Sequence, residues 1–330
     1  MREALQRAWL RRGALARLLW PISLLFGALA AVRRGLYRAG VLRSAQLPVP
    51  VIVVGNVVAG GAGKTPVVIA LLAHLKSQGL RAGLVSRGYG RSGGDCREVP
   101  ADGDPRSVGD EPLLAKQRTG VPVFVAPRRA QAARALLRAY PETQVIVSDD
   151  GLQHYALARD VEICVFDERG VGNGWLLPAG PLREPWPRPV DLTLRPQQAT
   201  GIPGFTVRRT LADHAVRADG TRVELAALRG QPLGAIAGIA RPEAFFAMLR
   251  ERGLSLGSCT ALPDHAEFAA SDVADAGPLV CTEKDAVKLW RLRPEAWAVP
   301  LQLDIEPAFW AALDRLLHAK LSSRHGSETA

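Results

Sequence analysis

Residues 51–65, Val-Ile-Val-Val-Gly-Asn-Val-Val-Ala-Gly-Gly-Ala-Gly-Lys-Thr, restrict the fold more than any other stretch of the chain. Val51 to Val54 is a short apolar, β-branched run that reads as a buried strand. Gly55 to Gly63 follows as a glycine-rich loop, and Pro66 to Gln78 reads as a helix with Val67, Leu71, Leu72 and Leu75 on its apolar face. This order has a physical use. Glycines let successive backbone N–H groups converge on an anion, and the amino end of the helix adds a favourable field. A lysine in the position of Lys64 reaches the β- and γ-phosphates of a nucleotide, and a hydroxyl in the position of Thr65 ligates Mg²⁺. Gly60, Gly61, Ala62, Gly63, Lys64 and Thr65 are therefore the candidate nucleotide-binding residues. The common spacing wants a glycine five places before Gly63, where this chain has Val58. The Gly60-Gly61 pair is expected to carry the tight turn instead. A chance glycine-lysine loop before a helix is the plainer alternative.

The pattern continues beyond the loop. Strands are expected at 81–86, 121–126, 144–147 and 161–166, with an Ala/Leu-rich helix at 130–139 between two of them. Such alternation indicates βαβ units. The expected fold is α/β: a P-loop NTPase-like, mainly parallel sheet with helices on both faces, over residues 46–195. Residues 168–191, rich in proline and glycine, read as a functional loop leading out of it. A smaller α/β domain is expected over 196–330, with strands near 205–208, 222–225, 233–238 and 279–281 and helices at 242–252 and 307–321. In an open parallel sheet the functional groups gather at the carboxyl ends of the strands.

The net charge of +10 is concentrated at one end. Residues 1–45 hold nine arginines and one acid, Glu3, and the rest of the chain is nearly balanced. No basic stripe interleaved with aromatics lies outside that segment, so nucleic acid is not an expected partner. Leu18 to Val32 is uncharged and spans roughly 22 Å as a helix, short of the bilayer's hydrocarbon thickness of about 30 Å. Pro21 suits a helix start or kink. With Trp9, Trp20, Tyr37 and flanking arginines, residues 1–45 read as a basic amphipathic helical segment on an anionic leaflet; a helical hairpin packed on the body is the alternative. No small-x-small cleavage site supports a signal peptide. The four cysteines show no CxxC spacing, which points to a reducing compartment and no cysteine metal site.

Further candidates stand at predicted strand ends. Asp149 and Asp150 follow the strand at 144–147, and paired acids beside a polyphosphate call for a cation between them, which makes both candidate Mg²⁺ ligands; a turn with a capping aspartate is the alternative. His154 follows at the same rim. Asp110 and Glu111 open a helix, where one carboxylate would lie near metal and one near an acceptor, or where Asp110 merely caps. Arg87 and Arg128 follow two further strands and suit phosphate. His265 stands out because the chain has six histidines, although a lone histidine is more often structural. Thr282 to Lys288 is a charged turn into a short helix, at a cleft or simply solvated.

Taken together, these pieces resemble the tetraacyldisaccharide 4'-kinase family of lipid A biosynthesis. The resemblance rests on 54–66 (Val-Gly-Asn-Val-Val-Ala-Gly-Gly-Ala-Gly-Lys-Thr-Pro), Ser86-Arg-Gly-Tyr-Gly-Arg91, Val108-Gly-Asp-Glu-Pro112, Asp149-Asp-Gly-Leu-Gln-His154, Leu177-Pro-Ala-Gly-Pro-Leu-Arg-Glu-Pro185, Pro263-Asp-His265 and Thr282-Glu-Lys-Asp-Ala-Val-Lys288, in the family's order. Leu152 stands where members often carry phenylalanine. The resemblance implies ATP and Mg²⁺ as cofactors and transfer of the γ-phosphoryl group to the 4'-hydroxyl of a tetraacylated glucosamine disaccharide 1-phosphate. It implies Asp110 as the base near that hydroxyl, with His265 as its partner from the second domain. It places Glu111, Asp149 and Asp150 on the magnesium side and His154 along the site. A glycolipid substrate and the anionic cytoplasmic face of a bacterial inner membrane are the expected partners, with no obligate protein partner evident. The competing reading is another membrane-associated P-loop ATPase or small-molecule kinase.

Overall fold

The computed structural model describes residues 8–272 and 277–325. The chain begins with helix α1 (Ala14–Arg38), then β1 (Val51–Gly55), α2 (Lys64–Ser77), β2 (Ala82–Ser86) and the two-residue β3 (Arg97–Glu98). A short α3 (Pro105–Val108) leads into α4 (Asp110–Thr119), β4 (Val123–Val125), α5 (Arg129–Ala139), β5 (Val145–Asp149), β6 (Val161–Val165) and β7 (Leu192–Arg195). β8 (Phe205–Leu211) precedes β9 (His214–Val216), β10 (Arg222–Glu224), β11 (Leu233–Ala237), α6 (Pro242–Glu251), β12 (Leu256–Ala261), β13 (Leu279–Thr282), α7 (Glu283–Leu289) and β14 (Trp297–Val299). β15 (Leu301–Ile305) and α8 (Pro307–His325) close it.

Nine strands form the larger sheet in the order β15-β8-β7-β6-β1-β5-β2-β4-β3. Its interior pairs are parallel, and its two edge strands, β15 and β3, run antiparallel to their neighbours. β1 lies in the middle, where helices cover both faces, so an unbroken apolar strand is what the position requires. Successive side chains divide between two cores. Ile52 and Val54 join Leu71, Leu113 and Phe309 on one side, and Val51 and Val53 join Leu136, Leu152 and Phe166 on the other. The second sheet runs β10-β9-β14-β13-β11-β12. Phe245 and Phe246 of α6 pack on one of its faces, and Ala286 and Leu289 of α7 on the other.

The division expected at residue 195 falls inside the larger sheet. The chain leaves that sheet only after β8, builds the second sheet between His214 and Val299, and returns through β15, which pairs with β8 from Leu301↔Leu211 to Ile305↔Val207. Two covalent crossings at neighbouring positions therefore join the lobes. Helix α8 seals the return, with the buried Phe309 ring against Phe205 and Trp310 at centroid distances of 5.8 and 5.0 Å.

Helix α1 contains Pro21 in its interior rather than at its start. One face docks on the 173–182 loop. Ser23 Oγ donates to Leu176 O at 2.9 Å and accepts from Ala179 N at 2.9 Å, and a Cβ at Gly27 would meet Leu176 at 2.7 Å. The other face carries Leu18, Ile22, Leu25, Leu29 and Val32, each between 54% and 75% exposed. By length and composition the 25-residue helix is long and apolar enough to cross a membrane.

Phe309→Ala should destabilise the larger lobe by about 3–5 kcal/mol, the usual cost of emptying a buried phenylalanine site. Urea unfolding checks this; an unshifted midpoint would mean that α8 does not anchor the return.

Candidate active site

Gly60 and Gly63 hold φ of +93° and +69°, the left-handed region that favours glycine. Lys64 is the first residue of α2, and Pro66 is tolerated because the first helical N–H groups have no intrahelical partner. Two arginines take the outward carbonyls of the loop. Arg169 donates to Ala59 O and Gly61 O, both at 3.2 Å, and Arg209 Nη2 donates to Ala62 O at 2.9 Å. In planar trans peptides the N–H groups of Gly60, Ala62 and Gly63 consequently point the opposite way. Lys64 Nζ lies 3.4 Å from Asn56 Oδ1 and 3.5 Å from Asp150 Oδ1.

The acid pair sits beside this lysine because β5 neighbours β1. Asp149 ends β5 and is buried, and its Oδ1 has no hydrogen-bond partner among the described residues. Burial and the nearby Glu111 push its carboxyl up to about 7. Asp150 turns out of the strand with φ of +45°. Arg183 Nη1 reaches both of its oxygens at 3.2 Å. Burial pushes Asp150 up, but Lys64 and Arg183 outweigh it and hold the carboxyl below its usual range.

On the other side of β5, Gly109 (φ +93°) delivers the chain into α4, and a Cβ there would press on Gly88 Cα at 3.2 Å. Asp110, 5% exposed, thereby faces the second lobe. His265 waits there with φ of +64°, its N–H bonded to Gly238 O at 3.1 Å. Its Nδ1 lies 3.1 and 3.0 Å from the two oxygens of Asp110. Helix α7 supplies two ammonium groups. Lys284 Nζ is 2.9 Å from Asp264 Oδ1, 3.3 Å from Glu111 Oε1 and 3.3 Å from His265 Nε2. Lys288 Nζ is 3.4 Å from Asp110 Oδ2 and donates to Ala266 O at 2.7 Å. Burial pushes Asp110 up, but His265 and both lysines outweigh it and bring the carboxyl to about 2. Burial pulls His265 down, and the Asp110 carboxylate outweighs it, so the imidazole is raised above its usual value.

Arg87 and Arg128 stand exposed beyond the ends of β2 and β4, and Arg129 behind them is buried. His154 is brought down to about 4, by burial first and then by neighbouring arginines. A cleft of ≈ 710 Å³ opens beside the loop, lined by Lys64, Thr65, Glu111, Asp264 and Lys284 and by apolar groups such as Phe245. The fold thus gathers Lys64, Asp149 and Asp150 in one place, with Thr65 following Lys64 in α2, and Asp110, Glu111 and His265 next to it, while Arg87 and His154 lie near the buried Arg129 and Arg128 stands exposed beyond β4. Sequence reasoning missed Arg169, Arg183, Arg209, Lys284 and Lys288. The resemblance of 177–185 and 282–288 to family segments, and for Lys284 and Lys288 the charged turn at 282–288, offered a signal for three of them.

The buried, unpartnered Asp149 Oδ1, close to Glu111 and Lys64, is suited to a hard divalent cation. No group of three His, Cys, Asp or Glu side chains able to hold a metal occurs among the described residues, and Mg²⁺ bound mainly through nucleotide phosphates and water needs none.

The family described as tetraacyldisaccharide-1-P 4'-kinase matches residues 15–318. A tetraacyldisaccharide 4'-kinase from Acidovorax sp. (strain JS42) is 59% identical over 327 residues, covering 98% of this chain and 97% of that protein. One from Polaromonas naphthalenivorans is 59% identical over 342 residues and covers all of both. A crystal structure of LpxK from Aquifex aeolicus in complex with ATP superposes with a TM-score of 0.78 at 29% identity, covering 92% of this chain and 99% of that one.

His265 carries a pH signature. Its folded-state pKa is raised, so its pairing with Asp110 contributes stability that is fully present below the unfolded value near 6.5 and lost as pH rises through the folded value. The melting-temperature gap between the natural protein and His265→Ala should therefore be widest below pH 6 and narrow toward pH 9. A gap that widens with pH would contradict the pairing.

Proposed function

Because this chain belongs to the tetraacyldisaccharide 4'-kinase family, we propose that it transfers the γ-phosphoryl group of ATP to the 4'-hydroxyl of a tetraacylated glucosamine disaccharide 1-phosphate, giving the 1,4'-bisphosphate and ADP. The observation that carries this reading is the Asp110–His265 pair, closed across two lobes beside a glycine loop whose lysine already faces an acid pair.

The N–H groups of Gly60, Ala62 and Gly63 receive the phosphates, and Lys64 neutralises charge on the transferring group. Thr65 and Asp149, with Asp150 and Glu111 nearby, would hold Mg²⁺. When bound, the ion supplies further charge neutralisation on the β- and γ-phosphates. The acceptor oxygen forms its bond to the γ-phosphorus as the bond to the β–γ bridging oxygen breaks and ADP departs with that electron pair. The hydroxyl proton passes to Asp110. A carboxylate near 2 is a weak base, yet it is adequate here. In a loose transition state the hydroxyl becomes strongly acidic only as the oxygen–phosphorus bond forms, so orientation matters more than basicity. His265 holds both oxygens of that carboxylate and ties it to the second lobe. The pair closes the cleft beside the nucleotide loop, which limits attack by water.

Helix α1 accounts for access to the acceptor. Its docked face fixes it to the body and its exposed leucine face suits the acyl boundary of an anionic leaflet, which supports peripheral or monotopic association with the cytoplasmic face of the inner membrane.

Lys64→Ala should lower transfer of labelled γ-phosphate by at least ~10²-fold, the scale for losing one preorganised charge at a transition state. Asp149→Asn should leave the fold intact but weaken the enhancement of ATP affinity by Mg²⁺, read by calorimetric titration with and without the ion. Near-normal turnover of the first variant would remove Lys64 from the reaction, and an undiminished Mg²⁺ effect in the second would remove Asp149 from the metal site.

A further inference from the structure

Lys284 has no role in the steps above, yet it stands on the wall of the cleft that contains the glycine loop. Its backbone is fixed first. Thr282 Oγ1 caps α7 by accepting from Asp285 N at 3.1 Å and donates to Asp285 Oδ2 at 2.6 Å, and that oxygen also accepts from Gly238 N at 3.0 Å. The side chain is 16% exposed. An ammonium has three donors and no acceptor. Those of Lys284 face Asp264 Oδ1 at 2.9 Å, Glu111 Oε1 at 3.3 Å and His265 Nε2 at 3.3 Å. Other cations nearby are directed elsewhere. Lys288, one turn further along α7, faces Asp110 Oδ2 and Ala266 O. On the cleft wall itself, Arg118 faces Glu283, and Arg209 and Arg241 face Glu168.

The phosphoryl group in transfer lies between Lys64 and Asp110, since it leaves a nucleotide on the loop and joins an oxygen whose proton passes to Asp110. Lys284 borders that interval from the second lobe. Asp264 Oδ2 is 3.8 Å from where a Cβ on Gly61 would stand, so a single carboxylate separates the ammonium from the loop. Glu111 links it to the acid pair, because Asp149 feels the charges of both Glu111 and Lys64. The two lysines therefore approach one interval from different lobes. A loose transition state spreads negative charge over three equatorial oxygens, more than one ammonium can face. Glu111, at 3.3 Å against 2.9 Å for Asp264, is the looser of the two carboxylates on Lys284, and its place is the one a phosphoryl oxygen takes.

We propose that Lys284 is a further catalytic residue, donating to a non-bridging oxygen of the γ-phosphoryl group while Asp264 keeps the ammonium in place. The assignment rests on the kinase reading. In the step, the bond between the acceptor oxygen and phosphorus forms, and the bond to the β–γ bridging oxygen breaks with its electron pair leaving on ADP. The acceptor proton goes to Asp110. Lys284 keeps all three of its protons and supplies charge and a hydrogen bond.

The test compares the full-length natural protein with Lys284→Met and Lys284→Arg in neutral detergent. It reads kcat for transfer of labelled γ-phosphate, the melting temperature, and calorimetric Kd values, with Mg²⁺, for ADP and a non-hydrolysable ATP analogue. Lys284→Met should lower kcat by ~10²–10³-fold, the scale for removing one donor aimed at developing charge. It should weaken the analogue by ~10-fold or more, by the strength of a charged hydrogen bond, and leave ADP, which lacks the γ-phosphate, nearly unchanged. Lys284→Arg should restore part of both. A lysine that only pairs with Glu111 and Asp264 gives another pattern: ADP and analogue shift together, and kcat follows the folded fraction. That pattern, or near-natural kcat in folded Lys284→Met, would overturn the assignment and leave the kinase reading in place. Because Lys284→Met leaves acids short of a partner, the double variant Asp264→Asn, Lys284→Met is also measured against Asp264→Asn alone. It should show the same selective loss, and equal affinities in the two would count against the contact. A natural protein that preferred the analogue to ADP, lost that preference in Lys284→Met and phosphorylated no acceptor would uphold the γ-phosphate contact and overturn the kinase reading.

Discussion

Asp110 and His265 are 155 residues apart in the chain and belong to different lobes, yet their side chains meet at 3.0 Å. Much of the surrounding structure can be understood as the means of holding that contact. A buried carboxylate is costly unless paired and hydrogen-bonded. Asp110 meets the cost with the imidazole, with Lys288, and with the N–H of Glu111 at 3.0 Å. Lys284 would be costly in turn without Glu111 and Asp264. Burial pushes its ammonium down, and these acids outweigh it and raise it. The result is a network in which each charge is tolerated only because the others are present, and the network crosses the cleft.

The topology explains why the crossing is dependable. The chain enters the second lobe after β8 and leaves it at β15, and these two strands pair with each other. The lobe is therefore hinged on one sheet edge instead of trailing from a single linker. Within it, Asp285 on α7 is fully buried and accepts from Gly238 N at 3.0 Å, and Gly238 O in turn receives the N–H of His265 at 3.1 Å. The same short helix thus fixes the backbone behind the imidazole and places Lys284 and Lys288 around it. The first lobe answers with Gly88 and Gly109, whose close approach sets the start of α4.

What the sequence disclosed follows from this division between local and nonlocal causes. Val51–Val54, Val145–Val147 and Leu233–Ala237 are central parallel strands buried on both faces, so their apolar runs are visible without a structure. The glycine loop and the acids after β5 were legible for the same reason, since each is a local signal at a strand end. β12 is an edge strand that reads Leu-Gly-Ser-Cys-Thr-Ala, partly exposed and without a clear alternation. The alternating Leu-Gln-Leu-Asp-Ile of β15 lies outside the strands expected from the sequence, nothing local says that it returns to β8, and the boundary at 195 failed there. Arg169, Arg209, Lys284 and Lys288 look like ordinary surface charges until the topology brings them in. The pairing of Asp110 with His265 came from family resemblance, because no spacing rule connects positions so far apart.

The central claim is that the two residues act as one unit in phosphoryl transfer, and a double-mutant cycle on kcat addresses it most directly. With Asp110→Ala, His265→Ala and the combined variant all folded, each single change should lower kcat by ~10²–10⁴-fold. The double variant should be no worse than the worse single one, because either change already breaks the pair. Losses that multiply in folded protein would contradict the account.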